Sequence, residues 1–545
     1  MRQHLVFALL LLGGAAGADG PRTLRVLATT DLHGHLEESA LLGGYLAIER
    51  REHPGGVLLV DGGDLFTGTL ESDLGEGAGV IRAMNALGYD AAAVGNHDFD
   101  FGPVGPNAIP HAAGDDPRGA LKARIGEARF PLLTANVVEA DGKPLAGTRR
   151  FVVLTVDHVK VGVVGGTTES TPSTTMLPNL AGLRILPLAP AIAAAADEAR
   201  RAGAKVVIVT VHAGGECPRR AQPLTDAKPG DLVGCQDDSE VFKLARALAP
   251  EHKVDAIFGG HTHKPLMAVV GGIPVAQADA RGLAYSALEL ELDTKSGAPT
   301  GKFRLELPVE LHADQPFHGQ KVAPDAKVAS AIAADLARAV SLRAEPVGVR
   351  LDGKLWRSYG AESPMGNLLA EIVRAHTATD VAVLNGGGLR ADLPAGELRY
   401  GALFETLPFA NHLATMQLRG ADFRRILQHN FEGPGGILSL AGVTVDARCA
   451  NHALDVKITL ASGKALGDDD PLSIGTSDFL ALGGDDFSHL PAHAPPRIDD
   501  AGPTLRDVVG AAFKKRGSIR ADDPSLFDPA HPRIKLPGPR PIRCP

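Results

Sequence analysis

Asp31-Leu32-His33, Gly63-Asp64, Gly95-Asn96-His97-Asp98, Val211-His212 and Gly259-Gly260-His261-Thr262-His263 together offer a full set of oxygen and nitrogen ligands for two metal ions. Each follows an apolar run that reads as a strand: "TLRVLAT", "GVLLV", the shorter "YDAAAV", "KVVIVTV" and "VDAIFG". Polar residues placed where buried strands end converge on one edge of a sheet, the edge at which open α/β folds bind ligands. Any single segment reads equally well as a turn or a cap. Five of them in order point to a dinuclear metal site.

Asp31 and His33 stand at i and i+2 beyond a strand, whose alternation would aim both side chains at one shared ion. Asp64, with its two carboxylate oxygens, suits a bridge between two cations. Asn96 offers a neutral amide oxygen to an ion that already faces that bridging charge. His212 and His261 complete the second ion, and His263 the first. Nitrogen and oxygen donors without cysteine favour Zn, Mn or a similar transition metal over a sulfur-bound structural site. Two such ions about 3.5–4 Å apart bring the pKa of a bound water toward about 7 and hold both oxygens of an in-line displacement. Phosphate-ester hydrolysis is the reaction class that uses this arrangement.

These ligands need a scaffold, and 545 residues are too many for one core, so two domains are expected. From 22 to 310 strand-like runs alternate with helical patterns such as "LLGGYLAIERRE" and "AGVIRAMNALG", which favours a layered α/β domain. An Ala-rich amphipathic helix over 324–343 reads as a connector. A second α/β region follows over 345–525, with "GNLLAEIVRAHT" as a helix and "DVAVLNGGGLRADL" as a strand breaking into a glycine loop. There the Gly386–Gly388 run reads as a tight turn that aims Arg390, with a phosphate cradle as the other reading. Residues 526–545 form a Pro-rich tail.

A net charge of −9 argues against a nucleic-acid polymer as partner. Residues 1–18 read as a cleaved signal peptide: Arg2, the apolar "LVFALLLL", then Ala16-Gly17-Ala18. No later run is apolar for long enough to span a bilayer, so a periplasmic or secreted protein without a membrane anchor is expected. Four cysteines suit an oxidising compartment. Cys217 and Cys235 flank a loop just after His212, and Cys449 and Cys544 would then pair; spacing alone leaves three connectivities open.

"ATTDLHGH", "DGGD", "VGNHDFDFG", "TVHAGGE" and "GGHTH" resemble the calcineurin-like metallophosphatase domain, and "NGGGLRADL", "LPFANHL" and "TSDFLALGGDDF" resemble the C-terminal domain of the 5′-nucleotidase family. The resemblance implies a four-layer αββα N-terminal domain, a C-terminal α/β substrate-specificity domain, and an active site in the cleft between them. It implies that Asp31, His33, Asp64 and His263 bind one divalent ion, and Asp64, Asn96, His212 and His261 the other. His97 and Asp100 resemble the family's catalytic pair, with His97 stabilising phosphoryl charge and Asp100 orienting it. Asp98 could instead cap a helix or share that orienting role. Phe409 and Phe479 lie in segments resembling the adenine-stacking pair, Asn411 and Asp485 would meet base and ribose, and Arg390 would meet phosphate or ribose edges.

One departure is clear: Leu355 and Tyr359 stand where the family usually places arginines, with Arg357 nearby but out of register. The activity implied is removal of phosphate from nucleoside 5′-monophosphates by attack of metal-activated water. Asp100, where cyclic-nucleotide enzymes tend to carry Asn, favours that reading. A 2′,3′-cyclic-nucleotide 2′-phosphodiesterase/3′-nucleotidase or a UDP-sugar hydrolase is the alternative, and a non-catalytic exported nucleotide-binding protein the reading from another class.

Overall fold

The computed structural model of the chain describes residues 22–225, 232–251, 254–487 and 495–545. The signal-peptide segment, 1–18, lies outside them.

Two facing sheets form the centre of the N-terminal domain. One runs in the order Leu224–Thr225, Pro299–Leu305, Ala284–Leu292, Arg22–Thr29, Val57–Asp61, Ala91–Ala93, Leu132–Leu133, with Val309–Glu310 paired onto Ala284–Leu292. The other runs Leu266–Val270, Ile273–Gln277, Ala256–Phe258, Val206–His212, Val159–Thr167, Phe151–Val156. Leu24, Val26, Leu58 and Val60 from the first sheet pack against Val161, Val163, Ile208 and Phe258 from the second. Alternate residues such as Leu27 and Leu59 face the other way, onto helices Ser39–Glu52, Ala78–Leu87 and Ala326–Ala344. Helices Leu188–Arg201 and Glu240–Leu248 cover the outer face of the second sheet. The result is the four-layer αββα sandwich. The apolar runs are continuous where strands such as Val57–Asp61 and Val206–His212 are buried on both faces.

Parallel pairing brings the ends of the ligand-bearing strands level. Thr29 pairs with Asp61, Asp61 with Ala92, Thr167 with His212, and Phe258 with Thr210. The loops that follow therefore open on one edge of the sandwich.

The C-terminal domain has a five-stranded sheet in the order Leu438–Ala441, Val381–Asn385, Pro471–Ser477, Leu413–Arg419, Arg497–Ile498. Helices Pro364–Thr377 and Leu505–Arg516 pack in one core, and helix Gly420–Glu432 packs with the hairpin Val443–Leu460 in another. The tail is tied down at three points: Ile534–Lys535 pairs with Val445–Asp446, Ile542 is buried, and Cys544 bonds to Cys449. Cys217 bonds to Cys235. Among the described residues no helix is long and apolar enough to cross a membrane.

The helix Ala326–Ala344 is more than a connector. Asp325 caps it by accepting from the Lys327 and Val328 amides, and its Val328 and Ile332 belong to the N-terminal core. At its far end the Arg343 guanidinium bonds to Glu37 and Glu71 of the first domain and to Glu405 of the second. The helix ends on a three-carboxylate junction between the domains.

A buried ion cluster fixes Ser39–Glu52 to its sheet. Arg25, 1% exposed, donates to both oxygens of Glu49 at 2.9 and 3.0 Å and to both oxygens of Glu306 at 2.9 and 3.0 Å. Tyr285 adds a 2.9 Å hydrogen bond to Glu49. Removing one partner from such a cluster leaves an uncompensated buried charge, whereas replacing the pair by apolar groups is far cheaper. Arg25→Met is expected to destabilise the N-terminal domain by about 3–5 kcal/mol, and the double variant Arg25→Met/Glu49→Leu to recover most of that loss. Denaturant midpoints followed by circular dichroism test this; a double variant no better than the single one would contradict it.

Candidate metal centre

The ligand-bearing loops hold one another through backbone hydrogen bonds rather than through regular structure. Asp31 N–H donates to Gly63 O, His33 N–H to Asp64 O and Gly34 N–H to Leu65 O, all at 2.9–3.0 Å. Strand alternation does not aim Asp31 and His33, because the strand ends at Thr29. Both residues adopt left-handed backbone instead, with φ of 51° and 46°. Asp64, His261 and His263 do the same, at 58°, 77° and 56°. Non-glycine residues held there are strained, and they persist only where the surroundings over-determine them. Gly95 shows how tight those surroundings are: a Cβ on it would meet Asp64 Oδ1 at 2.1 Å.

Asp98 takes neither role foreseen for it. Its two oxygens bond to loop amides rather than to the His97 ring: Oδ1 accepts from Leu65 N–H at 2.8 Å and Oδ2 from Gly95 N–H at 2.7 Å. Its carboxylate clamps the Asp64 loop to the Asn96 loop, because two amides there have no strand partner.

Asp31, His33, Asp64 and His263 bring their donor atoms within 4.8 Å of one another, and so do Asp64, His212 and His261. The hydrogen bonds around them leave the right atoms free. His33 Nδ1 is 2.8 Å from Thr67 O and His212 Nδ1 is 2.9 Å from Gly62 O. A carbonyl can only accept, so each Nδ1 carries a proton, which leaves Nε2 as the nitrogen that would face a metal. Asn96 donates from Nδ2 to Thr174 O at 3.1 Å, which turns its carbonyl oxygen inward. Asp64 Oδ2, Asn96 Oδ1 and His212 Nε2 are buried with no hydrogen-bond partner. Orphaned polar atoms of this kind are rare in folded proteins and call for a ligand. The donor set fits divalent cations.

The electrostatics agree. Burial alone would raise the Asp64 pKa, but the His212 and His97 rings outweigh it and hold the carboxyl well below the usual carboxylate range. Burial keeps His33 and His263 well below their ordinary range and brings His261 down to about 3, so these rings are neutral, the form that ligates. Burial also works against charge on His212, yet Asp64 and Asp31 push it up to about 10. A cation between His212 and Asp64 would take the place of that proton.

His97 lies beside this cluster. Its backbone N–H donates to Asp64 Oδ1 at 2.8 Å, and its Nδ1 is 2.6 Å from Asp100 Oδ2. Asp100 in turn accepts from Thr175 Oγ1 at 2.6 Å, a partner with no signal in the sequence.

The second domain closes over the edge. Arg390 Nη2 reaches His33 Nε2 at 3.2 Å and His263 Nε2 at 3.4 Å. Phe409 stacks on the His97 ring with centroids 5.3 Å apart. The Gly386–Gly388 run is a single 3-10 turn that leads into Arg390. Phe479 lies over Gly484, Asn385 donates to Asp485 at 2.8 Å, and Asn411 donates to Asp478 at 2.9 Å. Asn385, Arg390, Phe409, Asn411, Phe479 and Asp485 line one cavity of about 1080 Å³, shared with Asp64, Asn96, His97, His261 and His263. Arg357 and Arg281 line it too. Arg281 escaped sequence reading because it sits in the plain stretch "ADARGLAY", outside every motif.

Comparison with known proteins agrees with this architecture. The calcineurin-like phosphoesterase model matches residues 24–265, and the 5′-nucleotidase C-terminal domain model matches 342–492. Endonuclease YhcR of Bacillus subtilis (strain 168) is 27% identical over 482 residues, which cover 84% of this chain and 37% of that protein. The chain thus spans only 37% of the length of that relative. The 5′-nucleotidase of Homo sapiens is 26% identical over 560 residues, covering 88% of this chain and 87% of the relative. The crystal structure of a 5′-nucleotidase precursor from Thermus thermophilus shares the fold, with a TM-score of 0.74 at 22% identity over 95% of this chain and 100% of that one. The chain belongs to the 5′-nucleotidase family, with a calcineurin-like phosphoesterase domain followed by a 5′-nucleotidase C-terminal domain.

Proposed function

We propose that the protein is an exported dimetal phosphohydrolase that removes phosphate from nucleoside 5′-monophosphates. One observation carries this reading: a buried set of unpartnered metal-ligand atoms shares a cavity with the His97–Asp100 pair and with Arg390 and Phe409 from the other domain. Asp31, His33, Asp64 and His263 would hold one ion, and Asp64, Asn96, His212 and His261 the other. Such ions supply positive charge that stabilises phosphoryl oxygens and favours ionisation of water near neutral pH.

The chain's own groups do the rest. Asp100, itself held by Thr175, accepts from His97 Nδ1–H; Asp100 and Asp64 raise the ring's pKa against the effect of burial, and in the resulting imidazolium Nε2–H is left to donate to a phosphoryl oxygen as charge grows there. Asp64 positions His97 through its backbone amide, so ligand cluster and donor share one frame. Arg390 presents a planar guanidinium to phosphate oxygens. Phe409 and Phe479 offer flat faces for a base, and Asp485 and Asn411 polar edges for ribose and base. Export rests on the leader-like start and on two disulfides, bonds that persist in oxidising compartments.

Metal analysis of the purified protein is expected to give two transition-metal ions per chain, with activity lost to a chelator and restored by Mn or Zn. Full activity at substoichiometric metal would sink the dinuclear reading. His97→Ala is expected to lower kcat for AMP by about 10²–10³-fold while metal content stays at the wild-type level. A matching loss of metal would reduce His97 to a structural residue. Phe409→Ala is expected to raise KM for AMP by about 10-fold, since base–aromatic stacking contributes about 1–3 kcal/mol, and to change hydrolysis of a base-free aryl phosphate far less. Equal effects on both substrates would remove Phe409 from base binding.

A further inference from the structure

Helix Gly420–Glu432 is capped from far along the chain. The last carbonyls of an α-helix have no partner within it and need other donors, and cations are favoured at that end. Gly433 N–H serves His429 O at 2.9 Å, and residues 540–543 serve the carbonyls that follow. Arg540 donates to Asn430 O from Nε at 3.1 Å and from Nη2, which also reaches Gly433 O at 3.4 Å. Ile542 N–H donates to Phe431 O at 2.9 Å, and Arg543 Nη1 to Glu432 O. The Cys449–Cys544 bond, the buried Ile542 side chain and the pairing of Ile534–Lys535 with Val445–Asp446 hold this clip against the domain. It lies beyond residue 492, where the match to the 5′-nucleotidase C-terminal domain model ends.

The helix runs into Gly433-Pro434-Gly435-Gly436, a loop with little of its own to fix it, since glycine has the most backbone freedom to lose. Asn430 staples it: Nδ2 donates to Gly436 O at 2.8 Å and Oδ1 accepts from Leu438 N–H at 3.2 Å. Just after the loop, Ile437 N–H donates to Tyr359 O at 2.7 Å, and Ile437 O accepts from Gly386 N–H at 2.8 Å. Gly436 lies so close to these partners that a Cβ on it would meet Gly387 N at 2.9 Å and the Tyr359 ring at 3.3 Å. The clip thus acts on the glycine loop, and the loop on Tyr359 and on the turn that leads into Arg390.

Asn430, Gly433, Pro434, Gly436 and Tyr359 line the cavity, whereas Arg540 stands behind them, outside the lining. These five residues carry no formal charge, so the wall they make suits the uncharged part of a ligand rather than its phosphate. It adjoins the Gly386–Gly388 turn, and Asn385 just before that turn holds Asp485.

We propose that Arg540 is a positioning residue: by capping helix Gly420–Glu432 it keeps the Gly433–Gly436 loop ordered as the wall on which the nucleoside part of the substrate rests. This inference rests on the nucleotide-phosphohydrolase reading and adds to it a group that touches neither substrate nor metal ligands. With the clip released, the loop samples more conformations and a ligand has to order it on binding. Affinity falls, and the metal centre stays as it was.

The test titrates the full metal-replete protein, wild type and Arg540→Gln, calorimetrically with adenosine, which carries base and ribose but no phosphate. Kd is expected to rise about 10-fold in the variant, the effect of ordering roughly one further loop residue on binding. Stoichiometry and metal content are expected to stay unchanged, and Arg540→Lys to recover part of the affinity. A merely structural role would lower the stoichiometry through loss of folded protein and leave Kd where it was; that result overturns the proposal, as does wild type that fails to bind adenosine. In kinetics, KM for AMP is expected to rise by a similar factor at little-changed kcat, while an aryl phosphate without a nucleoside keeps its KM. Equal shifts for the two substrates overturn the proposal. Absence of phosphate release from either substrate by wild type fails the phosphohydrolase reading by itself, and the adenosine titration still decides the role of Arg540. Cys449→Ser/Cys544→Ser frees the clip without removing a capping donor. It is expected to raise Kd in the same direction and keeps the test decisive should Arg540→Gln not fold.

Discussion

Burying two carboxylates, an amide oxygen and four imidazoles around one point, with several of their atoms left unpaired, is a costly thing for a protein to do. Each desolvated polar atom without a partner costs about 1–3 kcal/mol, and more where it is charged. Asp64 Oδ2 sits 3.0 Å from His212 Nε2 and 3.6 Å from His33 Nε2 without hydrogen-bond geometry to either. Within the chain the His212 ring offsets part of that cost by its attraction to Asp64, and the rest of the structure is organised to impose the arrangement. The strain is spread over five left-handed residues at Asp31, His33, Asp64, His261 and His263. It is held by loop-to-loop amide bonds, by Asp98 and by glycine at position 95. Those constraints make sense only if divalent cations offset the cost.

The sandwich supplies the rigidity such a site needs. Strands buried on both faces bring their ends level, and the loops have little freedom because each one's backbone is bonded to the next. The second domain meets this frame through polar contacts more than through a shared apolar core. Arg390 and Phe409 touch the site itself, while Arg343 gathers Glu37, Glu71 and Glu405 at the end of the long helix. The Arg343 ion pairs sit beside a small apolar cluster of Leu70, Ala339 and Phe404, and they are the part of this junction that salt weakens.

The layers and the Asp and His side chains that cluster at the sheet edge were legible in the sequence because both are local. An apolar run that ends in Gly-Asp or Gly-Asn-His-Asp announces a strand and the loop after it. What was not legible depends on distant partners. Asp31 and His33 were aimed by backbone twist and by bonds to Gly63 and Asp64, not by strand alternation. Asp98 found two amides in separate loops rather than a helix to cap. Thr175 and Arg281 carry no motif, and their importance exists only once the chain brings them to Asp100 and Asp31. The Ala-rich helix showed its amphipathic period but not its role, since a face of Val328 and Ile332 reads the same on a linker as in a core.

Asp64 ties these levels together. One of its oxygens accepts the backbone amide of His97, and the other stands between the His33 and His212 nitrogens. Both groups of ligands include this carboxylate. A shift of its side chain therefore moves both clusters of donor atoms and His97 at once. Gly95 has to lie against it because any side chain there would displace Oδ1. The "DGGD" and "GNHD" segments thus describe one object, a carboxylate and the cup that holds it. The precision of the site comes from that shared atom rather than from the number of ligands around it.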